Sequence, residues 1–202
     1  MQAFIAACEN GALDAEVAVV LSNKHDAAGL SAAEAAGIPT LVISHTDYSS
    51  REDFDAAMVN ALLPFRPDLV ILAGFMRILT PVFIQPFFAK LLNIHPSLLP
   101  KYPGLNTHQR ALDAGDREAG VTVHYVTPEL DGGPPIIQAR VPIRPGDTAE
   151  TLAARVIVEE HKIYPIAARW LLRGRLHLNE QGAFLDDKPI PPTGIDYVTG
   201  MD

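Results

Sequence analysis

Asn93 and His95 stand two residues apart at the end of an apolar run, Leu91-Leu92-Asn93-Ile94-His95-Pro96. In an extended strand that spacing turns both side chains to one face and Ile94 to the other, so the pair can act on a single atom. An amide is a good donor to an oxygen that gains negative charge, and an imidazole can donate a proton near neutral pH. Together they suit a reaction with a tetrahedral intermediate. Pro96 cannot extend a ladder and biases His95 toward extended backbone, which places the pair at the carboxyl end of its strand, where open α/β sheets bind ligands. The plainer alternative is a turn amide beside a half-buried structural histidine.

A carboxylate to accompany that histidine stands in Glu129-Leu130-Asp131-Gly132-Gly133-Pro134. Two glycines after Asp131 let the backbone approach a ligand closely, and a carboxylate beside an imidazole favours the imidazolium and fixes its orientation. An ordinary Asp-Gly turn is the alternative. The run Gly74-Phe75-Met76-Arg77-Ile78-Leu79 leaves a strand at the same expected end of the sheet as His95 and can line a flat apolar slot with backbone polar groups, or merely pack. His124 by itself reads as a packed histidine, and His25, His45, His108, His161 and His177 as surface or structural ones. Cys8 reads as a core residue with no partner to activate it. A metal site of His95, His124 and Asp131 would lack a helical ligand spacing such as H-E-x-x-H.

Short apolar, β-rich runs occur at 17–21, 40–43, 68–73, 91–94, 121–126 and 136–141, and Ala/Glu-rich segments with helical spacing at 27–36, 51–63 and 81–90 lie between the early ones. That alternation predicts an α/β fold, an open, mainly parallel twisted sheet with crossover helices on both faces. The run 69–73 is apolar without alternation, as expected of a central parallel strand covered on both faces. The last two strands, separated by loop chemistry at 127–135, can pair antiparallel. A long helix is predicted over 149–173, with Thr148 or Asp147 as N-cap, Gly174 as its stop, and Pro165 kinking or splitting it. Residues 1–8 read as a helix with neither cap nor strand before it.

A chain of 202 residues fits one domain with a sizeable core. Its longest apolar stretch, 69–76, is far below the roughly 18 residues of a membrane span. The start has no basic segment leading into an apolar one, and Cys8 is alone, which together point to the cytoplasm. A net charge of −8 without a Lys/Arg cluster argues against a nucleic-acid partner but not against a small phosphorylated one, which backbone N–H groups can hold.

The run NIHPSLLPKYPG, with AGFMRIL before it and ELDGGP after it, resembles the folate-dependent formyltransferase family, in its phosphoribosylglycinamide branch, and the likeness extends over nearly the whole chain. The resemblance implies transfer of a formyl group from the co-substrate 10-formyltetrahydrofolate, without a metal, to the amine of N1-(5-phospho-D-ribosyl)glycinamide. It implies that Asn93 binds the formyl oxygen, His95 donates the proton and Asp131 sustains the imidazolium. The same resemblance gives Met76, Arg77, Ile78 and Leu79 as a folate loop, with Thr127, Pro128, Glu129, Leu130 and Asp131 on the other side of the pterin slot. Arg51 matches a basic residue associated with folate, and Glu160 the acid that binds the ribose hydroxyls. A monomer or weak homodimer that meets neither nucleic acid nor membrane is expected. Family members begin with a strand and a G-x-G-S/T-N turn that holds the substrate phosphate, and Met1 aligns just after it. The expectation is therefore a single domain, 1–202, N-terminally shortened, without its first strand and with weakened hold on the nucleotide. The alternatives are a catalytically impaired folate-binding remnant, or another enzyme that uses 10-formyltetrahydrofolate.

Overall fold

The computed structural model describes Met1–Met201, which form two compact units: Met1–Val70 with Met76–Phe88, and Ile71–Phe75 with the chain from Ala89 onward. In the first unit, helix α1 (Gln2–Glu9) leads to β1 (Val20–Ser22), α2 (Ala28–Ala35) and β2 (Thr40–Val42). The two strands pair in parallel, Val20 opposite Thr40, as a β-α-β unit requires. Helix α3 (Arg51–Leu62) starts where Ser50 accepts the Asp53 N–H at 3.0 Å, with Glu52 and Asp53 favourable in its first turn. Its buried Phe54, Met58 and Leu62 recur every four residues on one face.

The helix predicted over 81–90 is shorter than expected. Helix α4 covers Pro81–Ile84 and passes into a 3-10 turn, Gln85–Phe87. Pro86 has no N–H to give an α-helical ladder, which stops it there. Thr80, just ahead of α4, donates through its N–H (2.6 Å) and its hydroxyl (2.7 Å) to the buried carboxylate of Asp55, which ties this segment to α3.

The second unit carries, but for Val70, an open five-stranded sheet of β3 (Val70–Leu72), β4 (Leu91–His95), β5 (Glu118–Tyr125), β6 (Pro135–Pro142) and β10 (Ile195–Asp196), in the order β10-β6-β5-β4-β3. The run expected mid-sheet, β3, is instead an edge strand with half-buried residues. Apolarity on both sides of a strand reports covered faces and carries no information about paired edges, so hydrophobic pattern does not place a strand within its sheet. The central strand is β5, buried from Ala119 to Tyr125, and its polar Thr122 and His124 disguised it in the sequence. Thr122 is satisfied inside: its hydroxyl donates to Ser97 O at 2.7 Å and accepts from Leu99 N–H and Gln138 Nε2. The β4–β5 and β5–β6 pairs are antiparallel.

Helix α5 (Thr107–Asp113), not foreseen, and α6 (Ala149–Leu172) accompany this sheet. Thr148 and Thr151 cap α6 reciprocally. Its buried Leu152, Val156, Ile163, Ala167 and Trp170 follow the helical repeat, and they pack on β5 and β6. The helix runs through Pro165 as one element rather than two. The Tyr164 hydroxyl lies 2.8 Å from Leu72 O and 2.9 Å from Leu92 O, so its one proton is shared between carbonyls of β3 and β4. The small antiparallel sheet of β7 (Leu176–Asn179), β8 (Gly182–Leu185) and β9 (Lys188–Pro189) has strands too short to show a pattern in the sequence. Cys8, expected in the core, is half-buried at the end of α1, and burial followed by the Glu9 charge raises its thiol above the usual value.

Candidate active site

Strand β4 ends at His95 because Pro96 follows it, and its register with β5 sets Asn93 opposite His124 and His95 opposite Thr122. The β5–β6 pairing shifts register between Val123 and His124, an irregularity of the kind that re-aims a side chain beside a site. His124 Nδ1 lies 2.8 Å from the Tyr125 carbonyl. A carbonyl only accepts, so Nδ1 carries the hydrogen and Nε2 of the neutral ring is a lone pair. That lone pair accepts from the Asn93 amide nitrogen at 3.1 Å. Burial pushes His124 below the usual histidine value, against the Tyr125 carbonyl and the Asp131 charge, which favours this neutral form. One N–H of Asn93 is thereby committed to His124, and its second is left for a ligand.

His95 is held from two sides. Its Nε2 donates to the Tyr102 carbonyl at 2.8 Å, and its Nδ1 faces Asp131 Oδ2 at 3.4 Å, the two side chains being only 7% and 9% exposed. Both ring nitrogens thus face acceptors, an arrangement satisfied by the imidazolium. Asp131 in turn accepts the Gly104 N–H at 2.8 Å, and its other oxygen lies 3.8 Å from His124 Nε2.

Asp131 reaches this position through a tight turn. It adopts φ +49, the turn closes with Gly132 N–H on Glu129 O at 3.2 Å, and the Tyr125 N–H meets Pro134 O at 3.1 Å below it. A Cβ on Gly133 would sit 1.8 Å from the Tyr125 carbonyl oxygen, so only glycine lets the loop return this closely.

Asn93, His95 and Asp131 therefore come together, joined by His124, which the sequence left as a packed histidine. Its parity with Thr122 was visible, but the register that sets it against Asn93 was not. The Tyr102–Gly104 segment was also missed; Lys-Tyr-Pro-Gly turn chemistry just beyond His95 was the available signal. His108, read as structural, is half-buried, and burial and then the His95 charge lower it. Thr127 is half-buried, Pro128, Glu129 and Leu130 are exposed, and Glu160 on α6 is half-buried with its carboxyl raised by burial. In the first unit, Arg51 opens α3 at the surface. Met76 and Ile78 are 74% and 47% exposed, Leu79 is buried, and the Arg77 guanidinium lies over the Phe54 ring at 5.6 Å. Among the described residues no three His, Cys, Asp or Glu side chains converge as metal ligands.

An amide N–H beside an imidazolium braced by a carboxylate can hold an oxygen that becomes an oxyanion and give it a proton. That is acyl-type chemistry on a small carbonyl. Residues 1–168 match the family model described as formyl transferase. The chain is 49% identical to the phosphoribosylglycinamide formyltransferase of Escherichia coli (strain K12), over 96% of this chain and 92% of that protein. It is 46% identical to the human trifunctional purine biosynthetic protein adenosine-3, over 90% of this chain and 18% of that protein. The solved phosphoribosylglycinamide formyltransferase from Coxiella burnetii superposes with a TM-score of 0.93 at 48% identity, covering 98% of this chain and 92% of that one.

Proposed function

This chain belongs to the formyl transferase family, and on that premise we propose that Asn93, His95 and Asp131 are its reaction centre. It transfers the formyl group of 10-formyltetrahydrofolate to the amine of N1-(5-phospho-D-ribosyl)glycinamide, giving formylglycinamide ribonucleotide and tetrahydrofolate in purine biosynthesis. Its fold is the family's open Rossmann-like sheet with helices on both faces.

In the proposed reaction the substrate amine attacks the formyl carbon, a C–N bond forms and the carbonyl oxygen becomes an oxyanion. The free N–H of Asn93 and Nδ1–H of His95 donate to it, while Asp131, 3.4 Å from that nitrogen, holds the ring in orientation. When the intermediate collapses, the bond from the formyl carbon to N10 breaks, and the proton shed by the attacking amine ends on N10. No metal and no covalent enzyme intermediate enters this sequence, and the cytoplasm is its assigned compartment.

Folate contacts are assigned in the first unit to Arg51, Met76, Arg77, Ile78 and Leu79, and in the second to Asn93, Thr127, Pro128, Glu129, Leu130 and Asp131. The exposure of Leu130, next to Asp131, supports the second set, since an apolar side chain left in water beside a site is what an apolar heterocycle would cover. Glu160 is assigned to the ribose hydroxyls.

The observation that carries the reading is His95 held between Tyr102 and Asp131 with the Asn93 amide alongside. Asp131→Asn should lower kcat for formyl transfer by about a hundredfold or more while folate affinity stays within a few-fold. Near wild-type turnover would overturn the assignment. Turnover should also survive exhaustive chelation; loss that zinc restores would replace this scheme with a metal-assisted one.

A further inference from the structure

The segment from Lys101 to Leu105 supplies both outer contacts of the His95–Asp131 pair: the Tyr102 carbonyl on Nε2 and the Gly104 N–H on Oδ2, each at 2.8 Å. Its backbone is not one that side chains choose freely. Tyr102 lies at φ +55 and Gly104 at φ +78, and a bulky non-glycine residue remains in that region only where surrounding contacts over-determine it. Those contacts come from Arg110 and Asp116. Arg110, exposed on α5, donates through Nη1 to Pro103 O at 2.6 Å, reaches Leu105 O at 3.4 Å, and lays its guanidinium 5.1 Å from the centroid of the Tyr102 ring. Asp116 accepts from the Tyr102 hydroxyl at 2.9 Å and from Lys101 Nζ at 3.0 Å on each oxygen.

We propose that Arg110 and Asp116 are positioning residues of formyl transfer, gripping Tyr102 and Pro103 so that the loop holds His95 and Asp131 in their working orientation. The inference rests on the reading of His95 and Asp131 as catalytic. Neither Arg110 nor Asp116 touches that pair; each acts through the backbone of the loop. Lys101 contributes little to the grip, because its side chain is 57% exposed and a solvated ion pair is weak. With Nε2 pinned to a carbonyl, the ring cannot rotate, and Nδ1 alone is left to serve Asp131 and the substrate oxygen. A small displacement of a group already in reach of its target is enough to slow a reaction severely without unseating the ligand.

The test compares Arg110→Ala, Arg110→Lys and Asp116→Asn with wild type, and with His95→Asn as the reference for the centre itself. Arg110→Ala and Asp116→Asn should each lower kcat about tenfold with KM for both substrates within twofold, the signature of misplacement rather than lost binding. Arg110→Lys should recover less than half of that loss, because an ammonium cannot both stack on Tyr102 and reach the Pro103 carbonyl. The hydrogen-bonded Nε2–H proton of His95, followed by NMR, should exchange faster in Arg110→Ala than in wild type. Wild-type kcat and unchanged Nε2–H exchange in Arg110→Ala and Asp116→Asn, with His95→Asn inactive, would overturn the clamp and leave the centre standing. Full recovery by Arg110→Lys would overturn it too, since charge alone would then suffice. Near wild-type turnover in His95→Asn would instead sink the reading on which the clamp depends.

Discussion

His124 can serve Asn93 only through an unprotonated Nε2, so its titration and the orientation of the amide are one equilibrium. Burial lowers His124 from the usual histidine value, whereas in the unfolded chain it titrates at about 6.5. Below that pH the unfolded chain takes up a proton that the folded one refuses. The stabilising contribution is therefore complete above about pH 6.5 and is lost as pH falls toward and through the lowered folded value. His108, also lowered by burial and by His95, acts in the same direction, so the comparison must be with a variant. Urea unfolding of His124→Gln should lose less stability between roughly pH 7 and pH 5 than wild type does. Parallel losses in the two proteins would contradict this. Because a glutamine oxygen can still accept from Asn93, His124→Gln should also retain more turnover than His124→Ala.

Between residue and molecule, two loops depend on backbone rather than on side chains. Gly133→Ala forces a Cβ to within 1.8 Å of the Tyr125 carbonyl oxygen, and backbone cannot step aside as a side-chain tip can. A loss of at least about 2 kcal/mol in denaturant unfolding is expected, with Asp131 displaced along with its turn. Unchanged stability would show that the loop has another conformation available. In the loop after β3, Arg77 rests on the Phe54 ring, a contact worth about 1 kcal/mol at an exposed site. Arg77→Ala should accordingly leave folate affinity within a few-fold. A proline at Ile78, which removes a donor and fixes φ, should abolish it. Titration calorimetry with the folate would separate the two, and full affinity in both would refute a backbone-built loop.

The second unit is tied together at Tyr164, whose hydroxyl serves carbonyls of β3 and β4 from the middle of α6. Tyr164→Phe keeps the ring and leaves two buried carbonyls without that donor, a cost of about 1–3 kcal/mol. Since Leu92 immediately precedes Asn93, turnover should fall along with the melting temperature. A variant as stable and as active as wild type would show that neither carbonyl needs the hydroxyl.

Short-range geometry around the residues proposed for the chemistry is written in the sequence. Asn93 and His95 share a face because strand side chains alternate, Pro96 ends the strand because it has no N–H, and the glycines after Asp131 mark a close backbone return. Those are short-range consequences of covalent structure, legible within a few residues. The helix cap at Thr148 was readable for the same reason, whereas Pro86 cut short a helix whose apolar spacing ran past it. The tertiary structure alone decided that β5, with its threonine and histidine, is the central strand and that apolar β3 lies at an edge, because edge pairing leaves no trace in hydrophobic pattern. It alone set His124 against Asn93, through a register between strands about thirty residues apart in sequence. It also bent Lys101–Leu105 back so that a carbonyl and an N–H, which every residue type but proline offers alike, became the specific partners of His95 and Asp131.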